Sequence, residues 1–283
     1  MTSYIIRELK ISEIIKSIKV MLLSFGRPLI NELEEERRVW THLINSGIAK
    51  FLIAVKDENI IGLGGVFLFQ KVASIGYMGV LPEYRGQGVG SEIFKKLMEI
   101  AKNSGCRSVN LYASKLGEQI YRKYGFQGSY YANLYLLPKK VPKFHSKHKD
   151  TNLVSKFPDW VLQLDYKTIG FDRSDYLKAR TALGAKILIV ENEGYGLISN
   201  LLSTIRLGPL IATNIETAVH IIKEGLLLGA ESLIIPSHPL FQNKIITLMN
   251  LTENGDPNLK MAYGENISRK LEYLYAIGTY SKG

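Results

Sequence analysis

Residues 75–104, IGYMGVLPEYRGQGVGSEIFKKLMEIAKNS, constrain the fold more than any other stretch of the chain. Residues 75–81 are short and largely apolar, the pattern of a buried strand, and Pro82 ends it. Beyond Gly90, residues Ile93, Leu97, Ile100 and Ala101 recur at helical spacing, with Lys95, Lys96, Glu99 and Lys102 off that face. Between strand and helix lies Arg85-Gly86-Gln87-Gly88-Val89-Gly90. A glycine-rich turn that opens a helix aims several unpaired N–H groups one way, and the helix dipole adds positive potential at the same place. Glycine also lets the backbone approach a ligand closely. The arrangement predicts a seat for phosphate.

The glycines fall at 86, 88 and 90, so the dinucleotide pattern G-x-G-x-x-G is absent, and no Gly-Lys-Ser/Thr ending argues for a Walker loop. What is present is Arg-x-x-Gly-x-Gly at Arg85, Gly88 and Gly90, directly after a strand. This resembles the acetyl-CoA signature of the GNAT acyltransferase superfamily. The resemblance implies that Arg85, Gly86, Gln87, Gly88, Val89, Gly90 and Ser91 hold the CoA pyrophosphate. It also implies that the strand, through Met78 and Val80, pairs with the pantetheine arm. The bland alternative is a corner whose glycines only make a tight turn.

The rest of the first half follows the same plan. Hydrophobic periodicity, caps and turn residues predict strand, helix, helix, three strands, helix, strand, helix and strand over residues 3–138. That order resembles a complete GNAT domain. A second motif, Ser114 to Phe126 (SKLGEQIYRKYGF), resembles the family's later strand–helix signature. There Ser114 stands where many members have Asn, a shorter reach to the pantetheine, and Tyr121 stands where the family carries its proposed general acid.

The chemistry that the resemblance implies has three needs. The attacking amine must be neutral. The oxyanion needs donors, which amides of the central strand offer. The leaving thiolate needs a proton, and a phenol with a pKa of about 10 can supply it while staying protonated at rest. Packing of helix on sheet is the competing role for Tyr121. No general base is visible: the strand before the loop has no carboxylate, and Glu34, Glu35 and Glu36 read as a dipole-matched helix start.

Charge is uneven along the chain. Residues 1–140 carry 20 Lys and Arg against 12 Asp and Glu, whereas residues 156–283 carry 13 of each. The basic excess sits with the phosphate loop, which fits an anionic co-substrate. Nucleic acid is the disfavoured rival, since charge alone draws any polyanion. The single cysteine, Cys106, gives neither a disulfide framework nor a cysteine zinc site. His145 and His148 share H-x-x-H spacing within a lysine-rich stretch but have no third ligand nearby, so no metal is expected. No signal peptide or membrane-length apolar run is present, and a cytoplasmic protein is expected.

Residues 137–155, with two prolines and five lysines, read as a basic linker. Residues 156–283 form a second mixed unit that roughly repeats the later element order of the first. Its stretches at 170–173, 207–212 and 276–278 resemble the C-terminal domain of tandem GNAT proteins of the YitH kind. Where the first half has its glycines, this half has Ile211-Ala212-Thr213-Asn214-Ile215-Glu216-Thr217-Ala218. With no glycine, no arginine and a glutamate against the dipole, this copy is expected to have lost CoA binding.

The sequence therefore predicts an α/β chain of mixed sheets with two GNAT-like domains in tandem, the second degenerate. The expected divisions are an acetyl-CoA domain at 1–138, the linker at 139–155 and a domain shaping the acceptor pocket at 156–283. The expected activity is direct transfer of acetyl from acetyl-CoA to a small-molecule primary amine in a ternary complex. Phe25, Arg27, Tyr77, Trp160 and Arg206 are the candidate acceptor contacts. The alternatives are a protein lysine or N-terminal acetyltransferase, and a non-catalytic CoA-sensing or nucleic-acid-associated module. No motif specifies an oligomeric state.

Overall fold

The computed structural model describes residues 4–142, 150–202, 204–238 and 241–281. They pack as two compact units, one of Met1–Leu111 with Tyr263–Glu265, the other of Tyr112–Ala262 with Asn266–Ser281.

The first unit opens with β1 (Ile5–Glu8), α1 (Ile14–Ser24) and α2 (Glu34–Asn45). There follow β2 (Ala49–Lys56), β3 (Asn59–Phe69), β4 (Val72–Val80), α3 (Val89–Asn103) and the first residues of β5 (Ser108–Ala113). Strands β1 to β4 form an antiparallel meander, and β5 joins β4 in parallel. Strand β3 is central, and its run from Ile60 to Phe67 is buried on both faces, which explains its almost unbroken apolar sequence. Helix α1 buries Ile14, Ile18, Met21 and Leu22, one stripe at helical spacing. Helix α3 buries Ile93, Phe94, Leu97 and Ala101.

The second unit contains α4 (Lys115–Lys123), β6 (Gln127–Leu136), β7 (Thr151–Val154), α5 (Asp159–Ile169) and α6 (Ser174–Ala182). It continues with β8 (Lys186–Val190), β9 (Gly194–Leu201), β10 (Thr204–Ala212), α7 (Ile215–Leu227) and β11 (Ser232–Pro236). It closes with α8 (Gln242–Met249), β12 (Thr252–Glu253), β13 (Asn258–Gly264, whose end returns to the first unit's residues) and β14 (Leu274–Ala276). Strands β7 to β10 form another antiparallel meander, with β11 parallel to β10. From β7 to β11 the order of strands and helices repeats that from β1 to β5.

Two boundaries differ from the sequence expectation. The compact units divide after Leu111, whereas the expected sequence domains divide at 138. The cause is β6, whose residues Ala132 to Leu136 pair antiparallel with Pro236 to Ser232 of β11 and so hold it in the second unit. The expected linker is also shorter, because Thr151–Val154 pairs with Val190 to Ile187 of β8 as the opening strand of the second meander. His145 and His148, with the rest of 143–149, lie outside the described residues.

Beneath β4, the fully buried Trp40 stacks on Phe51 at 4.1 Å between ring centroids, and its indole N–H donates to Glu36 Oε1 at 2.8 Å. Replacing Trp40 with Ala leaves a large cavity and an unpaired buried carboxylate. Urea unfolding of Trp40→Ala is expected to show a loss of about 3–5 kcal/mol. A loss below about 1 kcal/mol would place this ring outside the core that supports β4.

Candidate active site

In the first unit the site is built where β4 meets α3. Opposite Gly64 of β3, strand β4 carries two residues, Tyr77 and Met78, because the pairing passes from Gly65↔Gly76 to Leu63↔Gly79. This is a β-bulge, and Tyr77 takes a left-handed backbone at φ 57°. Its half-buried ring turns into the aromatic cluster, 4.9 Å from Trp40 and 6.0 Å from Phe67 between centroids. Tyr77, a candidate acceptor contact, therefore serves at least as part of the core under the bulge.

The bulge has a consequence on the other edge of β4. The parallel ladder with β5 covers Val72↔Ser108, Ala73↔Val109 and Ser74↔Asn110, and β4 then runs on to Val80. Met78 and Val80, both half-buried, lie on this extension. An extended ligand backbone can add to a strand edge of this kind.

A single 3₁₀ turn, Pro82–Tyr84, leads from the strand into the loop. Arg85 then fastens the loop down. Its Nε donates to the carbonyl of Val80 at 3.1 Å and its Nη2 to the carbonyl of Ser24 at 2.6 Å. One guanidinium thus ties together the end of β4, the last residue of α1 and the start of the loop. Gln87 stays within the loop, its Nε2 donating to the Glu83 carbonyl at 3.1 Å. Gly86 and Gly88 stand at φ 75° and 85°, and a Cβ at either would meet nothing within 4 Å. Glycine is required here by the backbone, and open space lies beside it. The first helical bond runs from the Glu92 N–H to the Gly88 carbonyl at 3.1 Å, so the amides of Val89, Gly90 and Ser91 precede it. Val89 is buried and pins the helix start, while Gly90 and Ser91 are half-buried. These residues fit a pyrophosphate: donors at a helix N-terminus, no Cβ in the way, and a fixed loop.

Phe25 and Arg27 follow α1 directly. Phe25 is 51% exposed, and the Arg27 amide donates to the Leu22 carbonyl at 2.9 Å. The Arg85 guanidinium thus joins Val80 of β4 and Ser24 of α1 to the loop, and Phe25 and Arg27 follow Ser24 in the chain.

The remaining predicted residues belong to the second unit. Ser114 is the N-cap of α4, its Oγ accepting from the Gly117 N–H at 3.3 Å. Tyr121, two turns on, packs its ring over Gly117 and lies 6.1 Å from the Phe126 ring between centroids. Burial pushes its phenol up to about 12, so the hydroxyl is protonated throughout the neutral range. Trp160 lies in the first turn of α5, with its indole Nε1 buried and without a hydrogen-bond partner among the described residues. Arg206 lies on β10, its Nε donating to Ser232 Oγ at 3.4 Å. Near them in sequence, Arg173 is a buried ion-pair member, with Nη2 2.8 Å from Asp165 Oδ1.

The second unit reuses the same architecture differently. Strand β10 also bulges, Gly208 and Pro209 facing Leu197. Here the chain itself fills the edge beyond the bulge. Strand β10 meets β11 at Arg206↔Ser232, then pairs with β14 at Leu210↔Ala276 and Ile211↔Leu274, while Ile277 bridges to Ile234 of β11. The N-terminus of α7 is filled too. Asn214 Oδ1 accepts from the Thr217 N–H at 2.9 Å, and the Glu193 carboxylate accepts from Asn214 Nδ2 at 3.2 Å and from the Thr217 hydroxyl. A carboxylate of the chain stands where the first unit offers open space.

Among the described residues, no three His, Cys, Asp or Glu side chains gather as a metal ligand set, and no helix is long and apolar enough to cross a membrane. Sequence reasoning missed the Ser24 carbonyl as the second anchor of Arg85, and it missed β14 on the edge of β10. The Gly-Tyr-Met-Gly run at 76–79 was a readable sign of the bulge, since glycines within a strand mark such places.

Comparison with known proteins agrees with this geometry. Residues 19–126 match the acetyltransferase (GNAT) family, and residues 161–276 match an acetyltransferase (GNAT) domain. A ribosomal protein bS18-alanine N-acetyltransferase named in Bacillus subtilis is 25% identical over 129 residues, 44% of this chain and 82% of the relative. The uncharacterized N-acetyltransferase YitH of the same organism is 29% identical over 173 residues, which span 58% of this chain and 60% of YitH. A crystal structure described as an acetyltransferase from Pyrococcus horikoshii superposes with a TM-score of 0.90 at 28% identity, covering 100% of this chain and 97% of that one. Two matches to one family, in series over most of the sequence, show that the chain is an N-acetyltransferase of the GNAT superfamily with two GNAT domains in tandem.

Proposed function

We propose that the first GNAT domain takes acetyl-CoA and that the chain transfers its acetyl group directly to a small primary amine, both bound at once. The observation that carries this reading is the pair of left-handed glycines at the start of α3, open to one side and held by Arg85. Acetyl-CoA supplies a thioester carbon open to attack by a neutral amine. The amides of Val89, Gly90 and Ser91 receive the pyrophosphate, and Arg85 keeps them aimed. The extension of β4 at Met78 and Val80 receives the pantetheine amides. Tyr121 gives its proton to the departing thiolate, a role that its high pKa keeps available at neutral pH.

A small amine is placed ahead of a protein because the first unit's candidate acceptor contacts, Phe25, Arg27 and Tyr77, are aromatic or cationic. Such a set suits an apolar body with an anionic group better than it suits a basic peptide. The second reading, a protein N-terminus, is favoured by the relative named for acting on a ribosomal protein's alanine. The β14 strand and the Glu193 cap on α7 support a second domain that binds no CoA.

The test is release of free thiol from acetyl-CoA against a panel of small amines and of peptides with free N-termini. Turnover faster with small amines supports the reading, turnover confined to peptides moves the second one forward, and none with either contradicts both. Gly88→Val forces a branched residue into a left-handed backbone, a strain of about 1–3 kcal/mol. It should weaken acetyl-CoA binding by roughly 5- to 100-fold, with thermal unfolding recorded alongside to confirm the fold. Unchanged binding would make the loop a structural corner.

Tyr121→Phe should lower kcat by about 10²-fold with little change in acetyl-CoA binding. The acid form of Tyr121 is the active one and is lost only as pH rises through about 12. The wild-type kcat profile should therefore show no falling limb from this group below pH ~10. A falling limb between pH 7 and 9 that vanishes in Tyr121→Phe would contradict this assignment.

A further inference from the structure

Lys260 is a cation in an unusual position. It lies on β13, is 4% exposed, and no acceptor among the described residues reaches its Nζ. Its ammonium instead stands 4.7 Å from the centroid of the Tyr112 ring. Cross-strand pairing sets Lys260 opposite Tyr130 of β6, and the ladder slips immediately afterwards at Met261, a bulge whose extra residue, Ser129, donates its hydroxyl to the Lys260 carbonyl at 3.2 Å. The hydroxyls of Tyr112 and Tyr130 lie 3.0 Å apart. One donates to the other, which leaves the acceptor's own hydrogen for a further partner. The Tyr280 ring closes the cluster, 5.8 Å from Tyr112.

The charges around Lys260 do not balance it. Arg269 and Arg173 act on it with the same sign, and the Asp165 carboxylate is already engaged by Arg173 and by the Tyr195 hydroxyl. Burial first, and then Arg269 and Arg173, hold the Lys260 ammonium well below the ordinary lysine range. A buried cation with no counter-charge among the described residues is costly, and a strongly perturbed ionisable group of this kind is a functional-site candidate.

We infer that Lys260, with the Tyr112–Tyr130 hydroxyl pair, forms a binding site for the carboxylate of a small organic acid carrying an aromatic or apolar body. Lys260 supplies the charge, one phenol hydrogen supplies a second bond, and the rings of Tyr112 and Tyr280 supply an apolar wall. A carboxylate suits this set better than a phosphate, which carries more charge and more acceptor oxygens than one ammonium and one phenol can satisfy. The inference stands apart from the acetyl-transfer reading, since all of these residues belong to the second unit and none has a role proposed above.

The experiment is calorimetric titration of sodium benzoate, sodium acetate and sodium phosphate into the full chain at constant ionic strength. Benzoate should bind saturably at one per chain and more tightly than phosphate. Its affinity should weaken as pH rises, and should do so below the ordinary lysine value of 10.5. Lys260→Met keeps the length of the side chain and removes the charge. It should weaken benzoate binding by more than about tenfold while raising the melting temperature, because an uncompensated buried charge is gone. Tyr130→Phe, which keeps the ring, should also weaken binding, and it carries the test if Lys260→Met does not fold. Absence of saturable binding, tighter binding of phosphate than of benzoate, or equal benzoate affinity in the variants would overturn the inference.

Discussion

The Arg85 guanidinium is the contact on which the first unit's site depends. A left-handed turn at Gly86 and Gly88 has no side chains of its own to hold it, and its amides have value only if they point one way. Arg85 solves this by binding two carbonyls that are distant in sequence, at Val80 and at Ser24. Charge-assisted bonds of this kind are stronger than neutral ones, and the planar fork fixes direction as well as distance. The arginine of the loop motif is therefore architectural as well as electropositive. It sets the position of the helix start relative to β4.

The two meanders show one framework put to two uses. Each has a fourth strand with a bulge, and each such strand is followed by a helix. In the first, Gly88 starts the helix and β4 runs past its ladder with β5. In the second, Asn214 and Glu193 satisfy the helix start, and β14 takes the strand edge. A side-chain cap and an anionic ligand compete for the same N–H groups, so a helix start that caps itself gives up its affinity for phosphate. The replacement of glycine by Asn214 is the residue-level form of that exchange.

Much of this was legible in the sequence because the signals were local. The apolar stripes of α1 and α3, the Asn214 cap and the glycine spacing all act within a few residues of themselves, and each element followed. The packing division after Leu111 was not legible for a non-local reason: β6 is held by its pairing with β11, a hundred residues away, and strand sequence does not name its partner. Residues 151–154 failed similarly, since a short polar strand among lysines reads as tether until β8 is seen beside it. Tyr77 was read as an acceptor contact, but the bulge that turns its ring toward Trp40 depends on the pairing with β3, which the strand sequence does not state. Lys260 gave no local sign at all, because a lone lysine in a strand is normally a solvated one.

The central claim is that one GNAT domain of the pair takes acetyl-CoA and the other satisfies its own helix start and strand edge. The most direct measurement is the stoichiometry of acetyl-CoA binding to the full chain by isothermal titration. The account predicts a single class of site at one acetyl-CoA per chain. Two per chain would contradict the reading of Asn214, Glu193 and β14, and no binding would contradict the reading of the Arg85 loop itself.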